Sequence, residues 1–169
     1  MNRPEYLIIH HEASPVITTA HRFSLVNIYH KQRFNFISSL GYYVGYQYFI
    51  EKDGTVKQAR ADTDEGAHTI GYNKKSIGIC LAGNFSLELP SVKQRDALRS
   101  LLQGKVNEYH IPFQNVGPHR MFGSTTCYGL KLSDNWAKNL LVENQRITIL
   151  TKLRDLYAQL LELLKGRKA

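Results

Sequence analysis

Two cysteines in 169 residues, Cys80 and Cys127, are too few for a disulfide framework, which excludes a small cross-linked secreted scaffold. No apolar run approaches the roughly 18 residues that would span a bilayer. The opening MNRPEYLIIHHEAS has only a short apolar stretch that ends in His-His-Glu, so no signal peptide is expected. Synthesis in the cytoplasm follows, and work outside the cell would need release by another agent. Acidic residues are the minority: 14 against 22 basic ones, a formal charge of +8. That surplus favours an anionic partner or surface, and nucleic acid, an acidic membrane and an anionic cell-wall polymer all qualify on charge alone. It comes without a long basic run or a basic–aromatic stripe, so nucleic acid is not expected.

What is present describes one globular domain. Hydrophobic content of 43% and charged content of 21% are far from those of a disordered chain. The length allows a real core and an appendage. Residues 6–10 read as a short buried strand. Residues 18–31 read as a helix, with Phe23, Val26, Ile28 and Tyr29 near helical spacing. Residues 46–50 and 55–59 flank Lys52-Asp53-Gly54, a hairpin turn signal. Residues 76–81 (SIGICL) form another buried-strand candidate. Ser91 with Gln94 three residues later has capping-box form. It opens a helix with Ala97, Leu98, Leu101, Leu102 and Val106 on one face. Residues 117–130 read as a glycine-containing loop, and 134–142 as a short helix holding Trp136.

The last stretch differs in pattern. Residues 143–165 contain no Gly or Pro, and Ile149, Leu153, Leu156, Leu160 and Leu163 alternate at spacings of four and three. That is a coiled-coil-like seam of about two heptads, widened by Leu150, Tyr157, Leu161 and Leu164. The chain therefore divides into a domain over 1–142 and a C-terminal amphipathic helix with a basic tail over 143–169. The helix can dock on its own domain or self-associate. With Lys165, Arg167 and Lys168 it can also lie on a membrane surface.

Chemistry concentrates in three places: a histidine of LIIHH (residues 7–11), His119 and Cys127. Imidazole and thiolate suit zinc, and a catalytic zinc site uses three protein ligands and keeps a fourth position open. Spacing alone is weak evidence, since seven histidines often yield such a set by chance. Cys80, inside SIGICL, reads as an inert buried thiol. His30 reads as a solvated or partly packed helix residue, and His21 and His110 carry no pattern.

Three blocks together resemble the zinc-dependent N-acetylmuramoyl-L-alanine amidases, a family that includes phage amidase-type lysozymes and peptidoglycan recognition proteins. They are IIHHEAS (8–14), GYQYFIEKDGTV with GAHTIGYNKKSIGICLAGNF (45–85), and PHRMFGSTTCYG (118–129). The likeness covers about residues 5–140. It implies an α/β fold with a central mixed sheet flanked by helices, the metal lying at one edge of the sheet. It further implies one zinc per chain on His10, His119 and Cys127, with Tyr46 as a catalytic tyrosine. His68, Tyr72 and Asn73 then fall in a substrate-lining block. Neighbouring strand residues face opposite ways, so His11 is expected to pack or hydrogen-bond nearby.

The implied activity is cleavage of the amide between N-acetylmuramic acid and L-alanine of peptidoglycan, in a phage or prophage endolysin. A noncatalytic muramyl-peptide binder or a virion-associated wall-degrading component are the alternatives. The pattern departs from the family in three places. Thr125 stands where some members carry a catalytic lysine, leaving a hydroxyl in place of a charge. Tyr128 follows the cysteine where proline is common, and Met121 follows His-Arg where aspartate is common.

Overall fold

The computed structural model describes residues 3–14 and 22–166, without the side chains of 144, 145, 147 and 164–166. The helix start expected at 18–21, His21, and the side chains of Leu164, Lys165, Arg167 and Lys168 lie outside the described residues.

The buried runs of the sequence become strands β1 (Tyr6–His11), β2 (Tyr48–Ile50), β3 (Val56–Gln58), β4 (Ser76–Leu81) and β5 (Val116–Pro118). They form one sheet in the order β3-β2-β4-β1-β5. Pairing is parallel throughout except for the β2–β3 hairpin. The sheet is therefore mixed, as expected. Gly54 turns that hairpin at φ +87°, a conformation glycine adopts without a Cβ clash. Strand β5 is a correction, because the stretch 117–130 read as loop throughout. Its three residues carry two glycine or proline positions and leave too short a run for periodicity to register.

Strand alternation sorts the core into two layers. Leu7, Ile9, Ile50, Ile77, Ile79 and Leu81 face helices α2 (Val92–Tyr109) and α3 (Trp136–Gly166), where they meet Leu98, Leu102, Leu140 and Leu141. Phe49 and Cys80 face the other way, toward Val26 of α1 (Arg22–Phe34). Helix α2 starts as its sequence predicts. The Ser91 hydroxyl accepts from the Gln94 N–H at 3.0 Å, and Oε1 of Gln94 accepts from the Ser91 N–H at 3.1 Å. The amide nitrogen of Gln94 also donates to the carbonyls of Ile50 and Ala82, tying the helix to the ends of β2 and β4.

Helix α3 is continuous from 136 to 166, where the sequence suggested a short helix and a separate tail. Residues 137, 140 and 141 are buried, whereas Ile149, Leu153 and Leu156 are more than half exposed. Packing, not a break in the backbone, distinguishes the two parts. No described helix is long and apolar enough to cross a membrane.

His30 is not solvated: it is 7% exposed, and its Nδ1 accepts from the Gly45 N–H at 2.9 Å. Burial, helped by Arg60 and Arg33, pushes it down to about 4 from the ordinary 6.5. A histidine held neutral in the fold but protonated in the unfolded chain stabilises fully above about 6.5. That stability is lost as pH falls through about 4. Urea midpoints should therefore decline between those values, and His30→Gln, which can accept but not titrate, should flatten part of the decline. In the other layer, Leu98→Ala should cost about 2–5 kcal/mol of unfolding free energy in the same assay.

Candidate metal centre

Sequence-distant residues meet at the C-terminal end of β1. Strand pairing places His10 beside Cys80 and, one strand over, Phe49, on the α1 face. His119 directly follows the edge strand β5, and Cys127 returns from the loop beyond. The ligand atoms of His10, His119 and Cys127 all lie within 4.8 Å of one another. Nδ1 of His10 is 3.7 Å from Cys127 Sγ, and the two imidazole rings are 4.5 Å apart. Two imidazoles and a thiol at this spacing can hold one metal ion.

His11 points to the opposite face. Its Nδ1 accepts from the Phe85 N–H at 3.0 Å, and its own backbone N–H donates to Cys127 Sγ at 3.5 Å. Burial pushes its imidazole down to about 4, consistent with a neutral acceptor.

Electrostatics pre-set two of the three donors. Burial holds His10 well below its ordinary value, with His68, His119 and His11 adding to the effect. Burial also lowers His119. Both rings are thus neutral at pH 7, the form that binds a metal. The Cys127 thiol is pushed up to about 11 by burial, against the opposing pull of the His11 N–H and Arg120. Only this donor must lose a proton to bind.

Around the cluster stands a ring of aromatic and polar groups. Nε2 of His10 lies 3.1 Å from Nδ1 of His68 and 3.5 Å from the Thr69 hydroxyl. These groups fix the ring's second nitrogen and so its orientation. His68 fits there because position 78 of β4 is glycine: a Cβ would come within 2.6 Å of the His68 ring. The Tyr46 ring sits 5.0 Å from that of His10 and 5.5 Å from that of His30. Burial holds its phenol well above 10, with the Cys80 and Cys127 thiols reinforcing the shift. The hydroxyl therefore stays protonated and can only donate or accept a hydrogen bond.

The loop carrying Cys127 is held by Arg120. Its guanidinium donates to the carbonyls of Gly129 and Leu132 and to Asp134 at 2.5 Å, while its backbone N–H donates to the Cys127 carbonyl. Asp134 is thus the carboxylate that faces Arg120 in this chain. Tyr128 is fully buried and donates to the Ser133 carbonyl at 2.8 Å. Thr125 is exposed, and its hydroxyl accepts from the Cys127 N–H at 3.2 Å.

A cavity of about 610 Å³ opens beside the cluster, lined by His68, Asn73, His119, Ser124, Thr125 and Ile70 among others. His68 and Asn73 thus line this cavity. Asn73 is already engaged, its Oδ1 accepting from the N–H groups of His68 and Thr69. Tyr72 is elsewhere, packed edge-on between Tyr6 and Phe122. A smaller hollow of about 320 Å³ is lined by Tyr46, Glu12, Arg22 and His30 among others.

Sequence reasoning missed the supports. Arg60 is 1% exposed and donates to the carbonyls of Val44, Glu65 and Phe36, joining the segments that carry Tyr46 and His68. Glu12 pairs with Arg22. Neither pair has a spacing signal, because the partners are backbone atoms or lie on separate elements.

Residues 1–130 match the family described as N-acetylmuramoyl-L-alanine amidase. Peptidoglycan-recognition protein 2 of Holotrichia diomphalia is 39% identical over 111 residues, 63% of this chain and 57% of that protein. The chain thus spans little more than half of that relative's length. The endolysin of Escherichia phage T7 is 34% identical over 109 residues, 61% of this chain and 70% of its own. Among solved structures, N-acetylmuramoyl-L-alanine amidase LysC from Clostridium intestinale superposes with a TM-score of 0.70 at 27% identity, covering 83% of this chain and 86% of that one. By sequence and by fold, the chain belongs to the N-acetylmuramoyl-L-alanine amidase family.

Proposed function

We propose that this chain is a zinc-dependent peptidoglycan hydrolase that cleaves the amide between N-acetylmuramic acid and the L-alanine of the stem peptide. The setting that fits is a phage or prophage endolysin, which reaches the wall once the membrane is breached. The observation that carries the reading is the gathering of His10, His119 and Cys127 with Tyr46 beside them. Two imidazoles and one thiolate suit zinc and leave a coordination place open. A zinc ion held there would supply Lewis acidity toward the amide carbonyl and acidify water.

The chain's own residues have separable tasks. His68 and Thr69 hold the outer nitrogen of His10 and so aim its inner one. Tyr46, kept protonated, can donate a hydrogen bond to the amide oxygen as charge builds on it, a contribution of about 3–4 kcal/mol in comparable sites. Thr125 fixes the Cys127 backbone and offers a hydroxyl, not a cation, to the reaction. The cavity lined by His68, Asn73 and Ile70 has room for the peptide stem, while Tyr72 packs against Phe122 outside its lining.

A muramyl-peptide-binding module without turnover is the second reading, favoured by the recognition protein among the relatives and by the missing positive charge at Thr125. The two part on product.

Zinc-loaded protein should contain one ion per chain and release stem peptides with free N-terminal L-alanine from purified sacculi. His119→Ala and Cys127→Ala should bring release to background. Tyr46→Phe should keep the zinc and lose about 100- to 1,000-fold in kcat. Binding of sacculi without any release would favour the binding module, and full activity in Cys127→Ala would end the zinc reading.

Zinc affinity has its own pH signature. Because Cys127, pushed up to about 11, is the one donor that must shed a proton, affinity should rise with pH. Chelator competition between pH 7 and 9 should show about a tenfold gain per unit. A flat profile would mean that the thiol is not a ligand.

A further inference from the structure

We infer that the exposed part of α3 is an antiparallel pairing surface for a second copy of this chain. From Arg146 to Gly166 the helix runs for about 30 Å past the last buried residues of its own domain. Every side chain described over 148–163 is exposed. Ile149, Leu153, Leu156, Leu160 and Leu163, with Leu150 and Tyr157 beside them, are each between 51% and 68% exposed. Together they leave on the order of 800 Å² of largely apolar surface in water, more than monomers usually expose and close to one side of a standard protein interface.

The pattern favours a copy of itself over an unrelated partner. Spacings of four and three repeat every seven residues, the period that keeps a seam facing a neighbouring helix. In heptad terms Leu153 and Leu160 occupy a positions, and Ile149, Leu156 and Leu163 occupy d positions. Leu150 and Tyr157 are at e, and Lys152 and Gln159 at g. A stripe filled at a, d and e suits a bundle-like contact.

Orientation follows from the flanks. In a parallel pair each e position faces a g position of the partner, so Leu150 and Tyr157 would lie against Gln145, Lys152 and Gln159. Arg146, at an a position, would meet its own copy. In an antiparallel pair e faces e and g faces g, which gathers Leu150 and Tyr157 of both chains on one flank and leaves the polar residues on the other. An antiparallel register that layers a against d sets Leu153 opposite Leu156, Ile149 opposite Leu160, and Arg146 opposite Leu163. Like charges are then separated, the helix dipoles oppose, and the two catalytic bodies sit at opposite ends, free of one another.

The test is mass by light scattering on the zinc-loaded full chain from 5 to 100 µM. Two copies of the 19.4 kDa chain are expected. The double variant Leu153→Glu/Leu156→Glu should be a single copy with unchanged circular dichroism, its dissociation constant raised at least 100-fold. For orientation, Arg146→Cys and Leu163→Cys variants should cross-link under oxidation when mixed and not when separate. One copy at 100 µM overturns the proposal. So does a multimer that survives the double variant, or cross-linking of Leu163→Cys alone. A monomer that sediments with phosphatidylglycerol vesicles would identify a membrane surface as the occupant instead and would equally overturn it.

Discussion

Strand parity is the constraint from which the site grows. Adjacent residues of β1 face opposite sides of the sheet, so His10 and His11 divide the work of one region. His10 turns to the α1 face, where His119 and Cys127 arrive from β5 and the loop after it. His11 turns to the helical face, accepts from the Phe85 N–H, and lends its own backbone N–H to the Cys127 sulfur. A shift of one residue in the register of β1 against β4 would exchange these roles and dissolve the cluster. Parallel pairing along all six residues of β1 holds that register.

The three candidate ligands are only as well placed as the groups behind them. His68 reaches His10 because Gly66 and Gly78 leave room for its ring. Arg60, buried among carbonyls, joins the backbone on either side of Tyr46 and His68. Arg120 does the same for the Cys127 loop, with Asp134 as its counter-charge. One buried guanidinium, Arg60, and one partly buried, Arg120, thus bracket the centre and spend most of their donors on main-chain oxygens. Such bonds fix loops through main-chain oxygens, and the one carboxylate involved, Asp134, is itself engaged by Arg120.

Much of this was legible in the sequence, and the boundary is physical. Strand β4 and the capping box of α2 follow from local signals: a six-residue apolar run, and Ser91 with Gln94. The choice of His10 over His11 came from resemblance, and parity then explained it. Strand β5 stayed hidden because three residues with glycine and proline carry no period. The continuity of α3 was also missed, since the apolar pattern changes near 143 while the backbone does not. Arg60, Arg120 and the His30–Gly45 bond had no signal, because each links a side chain to backbone at a distance the sequence does not encode. His68 was placed with the substrate; the structure sets its ring against His10.

One framework accounts for both the family likeness and its departures. Tyr128 and Thr125 differ from the common pattern, yet the first is held by buried packing and the second bonds the Cys127 N–H through its hydroxyl. The central claim is that two ring nitrogens and one sulfur share an ion with a place left over. Zinc X-ray absorption spectroscopy of the loaded protein addresses this most directly. The account predicts one sulfur near 2.3 Å, with lighter scatterers near 2.0–2.1 Å of which two are imidazole. A shell with no sulfur, with two sulfurs, or with three imidazoles closing the site beside the sulfur would contradict it.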